Sequence, residues 1–348
     1  MNKLPLLFVL LLLSAAVLPV RPQAVAFRIL EYNVENLFDT LHAEGCDDAA
    51  FTPEGEQHWT SLRLGYKLKQ IASTLLAAGG ATPIDLVALV EVENDSVLAQ
   101  LTQRSRLARL GYSYIVTHSP DPRGINVALL YQPARFRPLA THTLRVAPTG
   151  RKVRPSRDVL HVSGRLFTGD TLDVFVCHLP SRRGEKTAAR YREAIGRELY
   201  GYIDSLMARR AHPAVVVTGD FNAFWPEAVF AESLQAELPT AGTVWPRRLY
   251  LLSHGLEAPG GIRGTYKYRG EWNQLDNFLV NGSLLGAAGP AAHPRLTAGK
   301  CLVVDFPFLL RNDQVGGGVQ PAHTFLGTFY LGGPSDHLPL LLPLNIQP

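Results

Sequence analysis

The segment AVVVTGDFNAF, residues 214–224, ends a run of strand-forming residues with a carboxylate and a carboxamide. Asp220 and Asn222 are two positions apart, and residues at this spacing leave a strand on the same face. Burying either side chain without a hydrogen-bonding partner would cost free energy. The candidates for that partner are loop backbone, water, a hard cation and a phosphate group.

More polar residues flank the apolar runs that predict strands. Three stand where a strand ends and three where one begins: Asn33, Glu91 and His178, then Asp276, Asp336 and His337. Ends and beginnings of strands can share one edge of a sheet only where some strands run antiparallel. The pattern therefore predicts mixed or antiparallel sheets with helices outside, and an active site at one sheet edge.

The residue types narrow the chemistry of that site. Carboxylates and carboxamides without thiolates suit a hard cation, Mg²⁺ first and then Mn²⁺ or Ca²⁺. The two histidines can transfer protons near neutral pH. No G-x-S-x-G segment supplies a covalent nucleophile, and Cys177 lies inside an apolar strand. Water activated by a histidine beside a metal ion is the chemistry that remains.

Apolar periodicity predicts the elements that position these residues. Leu64, Leu68, Ile71 and Leu75 recur at helical spacing, and the following glycine pair ends that helix. The sequence TGD at residues 168–170 predicts a hairpin between the strands at 159–167 and 172–178. Between residues 96 and 218 the sequence predicts helices at about 96–110 and 184–208, and strands at 113–116, 125–131, 139–146, 159–167, 172–178 and 214–218.

The N-terminus has the features of an export signal. Lys3 precedes an uncharged apolar run from Leu4 to Val20, and Ala24 and Ala26 form an A-x-A-like cleavage site. A membrane anchor is the alternative, since the run is at the lower limit for spanning a bilayer. We expect residues 1–26 to be a signal peptide, residues 27–348 to form one domain with no transmembrane segment, and the protein to be periplasmic or secreted.

Composition adds only broad limits. The chain has 348 residues, a formal net charge of +4 and 46% hydrophobic residues, which allow a large core. The weak basic bias neither demands nor excludes a nucleic-acid partner. The three cysteines are too few and too far apart for a disulfide framework, which leaves open a single bridge between Cys46 and Cys301.

Six segments resemble the ordered signature blocks of the endonuclease/exonuclease/phosphatase superfamily: EYNVEN, LVALVEVEN, CHLPSRRG, VVVTGDFNAF, QLDNFLV and PSDHLPL. This superfamily includes pancreatic-type deoxyribonuclease, abasic-site endonucleases, neutral sphingomyelinases and inositol-polyphosphate 5-phosphatases. The resemblance implies an α/β fold, a four-layer sandwich. Two mixed, mostly antiparallel β-sheets pack face to face in it, with helices on both outer sides.

The resemblance also implies a metal site. Asn33 and Glu91 match the family's metal-site asparagine and glutamate, and Asp336 helps to hold the metal. Glu93 shares a strand face with Glu91, so either glutamate could be the ligand. Glu35 replaces a more usual aspartate or small residue, which leaves a role at a second metal open.

The catalytic set follows from the same blocks. Asp220 and Asn222 match the pair that orients the attacking water and contacts the scissile phosphate. His337 matches the catalytic histidine, and Asp276 matches the aspartate that orients it. His178 matches the second histidine of deoxyribonuclease-like and lipase-like members.

The substrate is less constrained by the sequence. Arg182, Arg183 and Arg190 begin a predicted helix just after His178, and they either bind substrate phosphates or form a solvated face. We expect an exported, Mg²⁺-dependent phosphodiesterase, an endonuclease acting on nucleic acid, that is monomeric without a stable protein partner. The alternative is a phosphoesterase acting on lipid headgroups or small phosphorylated substrates. No apolar hairpin typical of membrane-inserting members is evident, which favours nucleic acid. A catalytically dead binding module would have broken blocks, and all six are intact.

Overall fold

The computed structural model describes residues 25–147, 154–239, 243–286, 293 and 295–347. Within these ranges the strands, in chain order, are β1 (Val25–Leu37), β2 (Leu86–Val92), β3 (Ser113–Val116), β4 (Asn126–Tyr131), β5 (Phe136–Leu144), β6 (Val159–Leu166), β7 (Thr171–His178), β8 (Val215–Asp220), β9 (Leu249–Leu251), β10 (Tyr266–Tyr268), β11 (Glu271–Asn273), β12 (Asp276–Asn281), β13 (Leu296–Ala298), β14 (Leu302–Val303), β15 (Leu310–Asn312), β16 (Val319–Pro321), β17 (Phe325–Leu326), β18 (Phe329–Tyr330) and β19 (Leu340–Ile346).

Two long helices and several short helical segments accompany these strands. The α-helices are α1 (Ser61–Gly79), α2 (Asp95–Ala99) and α3 (Glu185–Ala208). Single turns of other helix types occur at Ala49–Phe51, Gln100–Arg104, Arg106–Leu110, Val229–Ser233, Pro259–Gly261, Gly282–Leu285 and Pro307–Leu309.

The strands form two large mixed sheets. The first has the order β13-β19-β1-β2-β4-β3, with β14 also paired to β19, and the second has the order β5-β6-β7-β8-β12-β9. Only β1 with β2 and β7 with β8 are parallel within these two sheets of the described chain. This arrangement confirms the predicted mixed, mostly antiparallel sheets.

Alternation along the strands produces four layers. Ile29 of β1 and Val216 of β8 lie in the core between the two sheets. The other face of the first sheet packs against the apolar side of α1, which includes Leu68. The outer face of the second sheet packs against α3, through Ile203 among others. The four-layer sandwich with helices on both outer sides is confirmed.

The local predictions agree with the structure except at one helix and at β5, which spans Phe136–Leu144 instead of the predicted 139–146. The helices at residues 64–79 and 184–208, and the hairpin between β6 and β7, are present. The helix predicted from about Ser96 to Leu110 is wrong, because the segment divides into three short pieces. Ser105 has an extended backbone with ψ −174°, and its hydroxyl accepts a hydrogen bond from the amide of Leu107, which starts a new turn.

The predicted signal peptide falls almost entirely on residues 1–24, which lie outside the described residues. From residue 25 onward, no helix in the described part of the chain is long and apolar enough to cross a membrane. Cys46, Cys177 and Cys301 are free thiols, so the bridge that the sequence left open does not form.

Candidate active site

Strand register brings three of the predicted residues side by side. His178 at the end of β7 pairs with Asp220 at the end of β8, and Asp220 pairs with Asp276 at the start of β12. Asn33 of the first sheet donates a hydrogen bond from Nδ2 to Asp220 Oδ2 at 3.2 Å. Edges of both sheets therefore meet at one polar site, whereas the sequence predicted a site at the edge of one sheet.

A β-bulge at Glu91 separates it from Glu93. The pairing of β2 with β4 shifts register around Glu91, which has φ +64°, a strained value for a residue with a side chain. Its Oε2 accepts a hydrogen bond from the amide of Asn36 at 2.9 Å, and the residue lines the cleft. Glu93 instead accepts from the amide of Asp39. The expectation that the two glutamates share a face is wrong, and Glu91 is the one at the site.

Asp220 and Asn222 leave β8 together and both line the cleft. Asn222 has φ +50°, a conformation that asparagine tolerates better than most residues, and its amide donates to Asp220 Oδ1 at 2.8 Å. Its Nδ2 donates to the carbonyl of Leu179 at 3.1 Å, which fixes the side-chain amide. Burial and then the neighbouring Asp276 carboxylate raise the pKa of Asp220 to about 7.

His337 and Asp276 form a buried pair. Asp276 Oδ2 lies 2.6 Å from His337 Nδ1, and it also accepts a hydrogen bond from the hydroxyl of Thr265. The ring of Tyr266 packs on the imidazole with centroids 4.8 Å apart. Burial lowers the pKa of His337, but Asp276 and Asp336 outweigh it, so that pKa lies well above its ordinary value. With Nδ1 held by Asp276, Nε2 is the nitrogen left for the cleft.

His178 is buried in a different environment. Its Nε2 lies 3.7 Å from Glu91 Oε1 and 3.7 Å from Asp220 Oδ2, beyond hydrogen-bonding distance. Burial, followed by the charges of Arg157 and Arg123, holds the pKa of His178 well below its ordinary range. The two histidines therefore differ in charge at neutral pH, since His178 is neutral and His337 favours the imidazolium.

The donor set fits a hard cation. The closest group of potential ligand atoms in the described residues belongs to Asp220, Asp276 and His337, all within 4.8 Å of one another. Because Asp276 and His337 are bonded to each other, we assign this group to proton transfer. Glu91, Asp336 and Asn33 remain as oxygen donors. Burial and then Glu91 raise the pKa of Asp336, although His337 opposes them, and a divalent cation would relieve this crowding of carboxylates.

Glu35 has a structural position rather than a second metal site. Its two carboxylate oxygens accept hydrogen bonds from the amides of Phe325 and Thr324, at 3.0 and 2.7 Å. Its carbonyl accepts from the buried Lys67 Nζ at 2.6 Å. Glu35 thus anchors the loop that leads to Asp336.

The predicted substrate arginines are placed differently from one another. Arg182 and Arg183 line the cleft, which has a volume of about 1320 Å³. Arg182 is partly neutralised, because it lies 2.6 Å from Glu227 and its guanidinium stacks on Phe224 at 4.4 Å. Arg190 is exposed on α3 and does not line the cleft, so its predicted contact with substrate is not supported.

Two further arginines belong to the site and were not selected from the sequence. Arg157 is buried and donates to the carbonyls of His178 and Leu179 at 3.1 and 2.6 Å. Arg123 lines the cleft with its guanidinium 3.6 Å from Glu91 Oε1. Nothing in the local pattern around Arg123 distinguishes it from a surface arginine.

Glu31 is a buried carboxyl group behind the histidine pair. It lies on β1 two residues after the core residue Ile29, on the face that packs between the sheets. Neither of its oxygens, nor Asp276 Oδ1, has a hydrogen-bond donor among the described residues. Burial and then Asp276 and Asp220 raise the pKa of Glu31 well above its ordinary value, so it is protonated and can donate to Asp276. The strand alternation could have identified it, since a glutamate at a core position needs a partner.

This arrangement predicts a specific difference between two variants. Glu31→Gln keeps a donor toward Asp276 and should retain activity close to wild type, whereas Glu31→Leu removes it and should lose about tenfold in kcat/KM. Without this donor the charge of Asp276 would act more fully on His337, whose pKa it raises, so the acidic limb of the pH–rate profile should move to higher pH in Glu31→Leu. Equal profiles for both variants would contradict the assignment.

The chain belongs to the endonuclease/exonuclease/phosphatase family, whose model matches residues 26–346. Members of this superfamily hydrolyse phosphoester bonds and generally depend on divalent metal ions. No curated protein matches the sequence.

Solved structures with the same fold cover almost the whole chain. The catalytic domain of human nocturnin with bound sulfate is 19% identical, with a TM-score of 0.57, covering 92% of this chain and 94% of that one. D. rerio TDP2 with a single-strand DNA product is 16% identical, with a TM-score of 0.55, covering 92% and 99%. A mannosyl-6-phosphatase of Bacteroides thetaiotaomicron is 16% identical, with a TM-score of 0.57, covering 91% and 99%. At these identities the similarity shows the fold alone.

Proposed function

We propose that this protein is an exported, Mg²⁺-dependent phosphodiesterase, an endonuclease that hydrolyses nucleic acid by histidine-activated water. The observation that carries the proposal is the His337–Asp276 pair beside Asp220 and Asn222 at an open cleft. A substrate reaching this position would meet a base, fixed amides and neighbouring carboxylates together.

The residues divide the work as follows. His337 takes a proton from the attacking water through Nε2, and Asp276 holds its tautomer and stabilises the imidazolium that forms. Asp220 and Asn222 orient water and phosphate, while neutral His178 donates a hydrogen bond to a phosphoryl oxygen. Asn33, Glu91 and Asp336 would hold the metal ion, which neutralises charge on the phosphoryl group when bound.

A panel of substrates tests this function. Plasmid DNA, RNA, sphingomyelin and bis-p-nitrophenyl phosphate are assayed with and without Mg²⁺, and we expect cleavage of nucleic acid only with the metal. Conversion of supercoiled plasmid to nicked circles identifies an endonuclease. Turnover of sphingomyelin alone would overturn the nucleic-acid assignment and leave the phosphodiesterase chemistry intact.

The position of the arginines predicts a salt effect. If the substrate is a polyanion, Arg183 neutralises one phosphate and releases about one counterion. Arg183→Ala should therefore reduce the slope of log Kd for DNA against log salt by about one unit. Arg190→Ala is the matched control, because it removes the same charge from α3, seven residues further along the chain and outside the cleft. Equal slopes for the two variants would count against a polymer track along this wall.

A phosphoesterase acting on lipid headgroups is the second candidate. Exposed apolar side chains favour it, among them Phe329, which is 74% exposed. No specific observation favours the small phosphorylated substrates that the sequence left as a further alternative.

Export is the remaining part of the proposal. It is supported by Lys3 and the apolar run from Leu4 to Val20. Mass spectrometry of the secreted or periplasmic protein should give an N-terminus between residues 23 and 27. Recovery of intact chains beginning at Met1 from the membrane fraction only would contradict it.

A further inference from the structure

An apolar surface is formed by exposed side chains of α1 and of the β17–β18 hairpin, two elements that pack together. We call it the apolar face and define it by five side chains with their exposed fractions: Leu62 84%, Tyr66 51%, Leu326 59%, Phe329 74% and Leu331 40%. An amphipathic helix such as α1 ordinarily carries polar residues on the side opposite the core. The exposed apolar side chains of α1 therefore need an explanation.

The hairpin is held on α1, so its apolar tip is a fixed feature of the surface. The guanidinium of Arg63 stacks on the ring of Tyr330 at 4.3 Å, and Gln70 Nε2 donates to the carbonyl of Gly332. Gln57 Nε2 donates to the carbonyl of Gly327 at 3.2 Å. The sequence did not predict this hairpin, because its two strands are only two residues long and too short for a periodicity signal.

The two elements that form the apolar face carry basic residues and no acidic ones. Neither α1 nor residues 323–334 contains an aspartate or a glutamate, whereas α1 carries Arg63 and the exposed Lys69. The carboxylates nearest to these two elements in the sequence are the exposed Glu54 and Glu56, in the loop that precedes α1, and Asp336, which lines the cleft. Apolar side chains with a basic rim fit the interface of an anionic bilayer.

The apolar face adjoins the active site. Phe51 lines the cleft, and its ring contacts Phe325 of the hairpin with centroids 6.2 Å apart. The amide of Thr324, at the root of the hairpin, is bonded to Glu35, and Asp336 follows the hairpin in the chain. A surface bound by the apolar face would therefore lie beside the cleft.

We propose that the apolar face docks the protein on an anionic lipid bilayer. Leu62 is 84% exposed and Phe329 is 74% exposed, so both side chains protrude. Protruding apolar side chains suit insertion among acyl chains better than burial in a partner's flat surface. The basic rim contributes attraction to anionic headgroups. This docking concerns binding alone and holds whichever phosphoester the enzyme cleaves.

Sedimentation of the mature chain with vesicles tests the proposal without any substrate. Vesicles of phosphatidylcholine mixed with phosphatidylglycerol should bind the protein, and pure phosphatidylcholine should bind it more weakly. The variant Leu326→Ser/Phe329→Ser/Leu331→Ser should partition at least about tenfold more weakly, because it removes most of the inserted apolar area. Lys69→Gln should weaken binding about fivefold at low salt and less at high salt.

Two controls keep the result interpretable. Leu139→Ser/Trp245→Ser removes side chains that are 49% and 60% exposed, on an edge strand and beside α3, and should leave vesicle binding unchanged. If circular dichroism shows that the hairpin variant is unfolded, Leu62→Ser/Tyr66→Ser removes apolar side chains of the face from α1 instead. Equal vesicle binding of the face variants and the control would overturn the proposal, as would absence of vesicle binding. Self-association that the face variants abolish, without vesicle binding, would assign the surface to a second copy of the chain instead.

Discussion

His337→Ala should lower kcat by about 10²–10⁴-fold while the protein remains folded. Asp276 holds the imidazole through Nδ1 at 2.6 Å, which leaves Nε2 for the attacking water. We expect no neighbouring side chain to replace His337 as the base. His118→Ala is the control, because that side chain is 74% exposed and should tolerate the change. If folded His337→Ala keeps more than about a tenth of wild-type turnover, the assigned base is wrong.

The aspartate should act through the histidine. Asp276→Asn should also reduce kcat, because an amide can support the wrong tautomer. The losses of Asp276→Asn and His337→Ala should not add in the double variant, since both residues serve one function. His178 has its own environment, so His178→Ala should combine more independently with Asp276→Asn.

The same pair fixes the direction of the pH dependence. Because the pKa of His337 is raised, the base is protonated at low pH and becomes available only as the pH rises through that value. The acidic limb of kcat/KM should therefore lie above pH 6.5, the ordinary value, and move to lower pH in Asp276→Asn.

Chelation of divalent cations should abolish activity, and Mg²⁺ or Mn²⁺ should restore it. Glu91, Asp336 and Asn33 supply the oxygen donors that such ions require. Glu91→Gln should raise the Mg²⁺ concentration needed for half-maximal activity. Glu93→Gln should not, because Glu93 is turned toward the amide of Asp39. Full activity after exhaustive chelation would exclude the proposed mechanism.

Thermal stability gives a second measure of the metal site that does not depend on turnover. The pKa of Asp220 rises from 3.8 to about 7 on folding, so the folded state binds this proton more tightly. Between those values the metal-free protein therefore loses stability as the pH rises. A cation that favours the ionised carboxylates should raise Tm more at pH 7 than at pH 5, and less so in Glu91→Gln.

Periodicity predicted mixed sheets with helices outside and the convergence of polar residues, whereas the four layers were implied by the family resemblance. Strand alternation put Asp220 and Asn222 on one face, and the order of ends and beginnings implied antiparallel neighbours. The bulge at Glu91 was not predictable, since it depends on the pairing of β2 with β4 rather than on local residue types. The position of Arg123 depends equally on a loop whose path only the tertiary structure determines.

The pairing of β1 with β19 has a consequence for how the molecule matures. Val25 is opposite Ile346, so the central strand of the first sheet is completed by the last strand of the described chain. During synthesis from the N-terminus, β1 must remain without this neighbour until nearly everything else has emerged. Contacts so distant in sequence make folding slow and leave apolar strand surface open to aggregation in the meantime. A chain truncated before Leu340 would lack this strand altogether. The yield of folded protein should therefore depend on holdase chaperones during synthesis more than on its final stability.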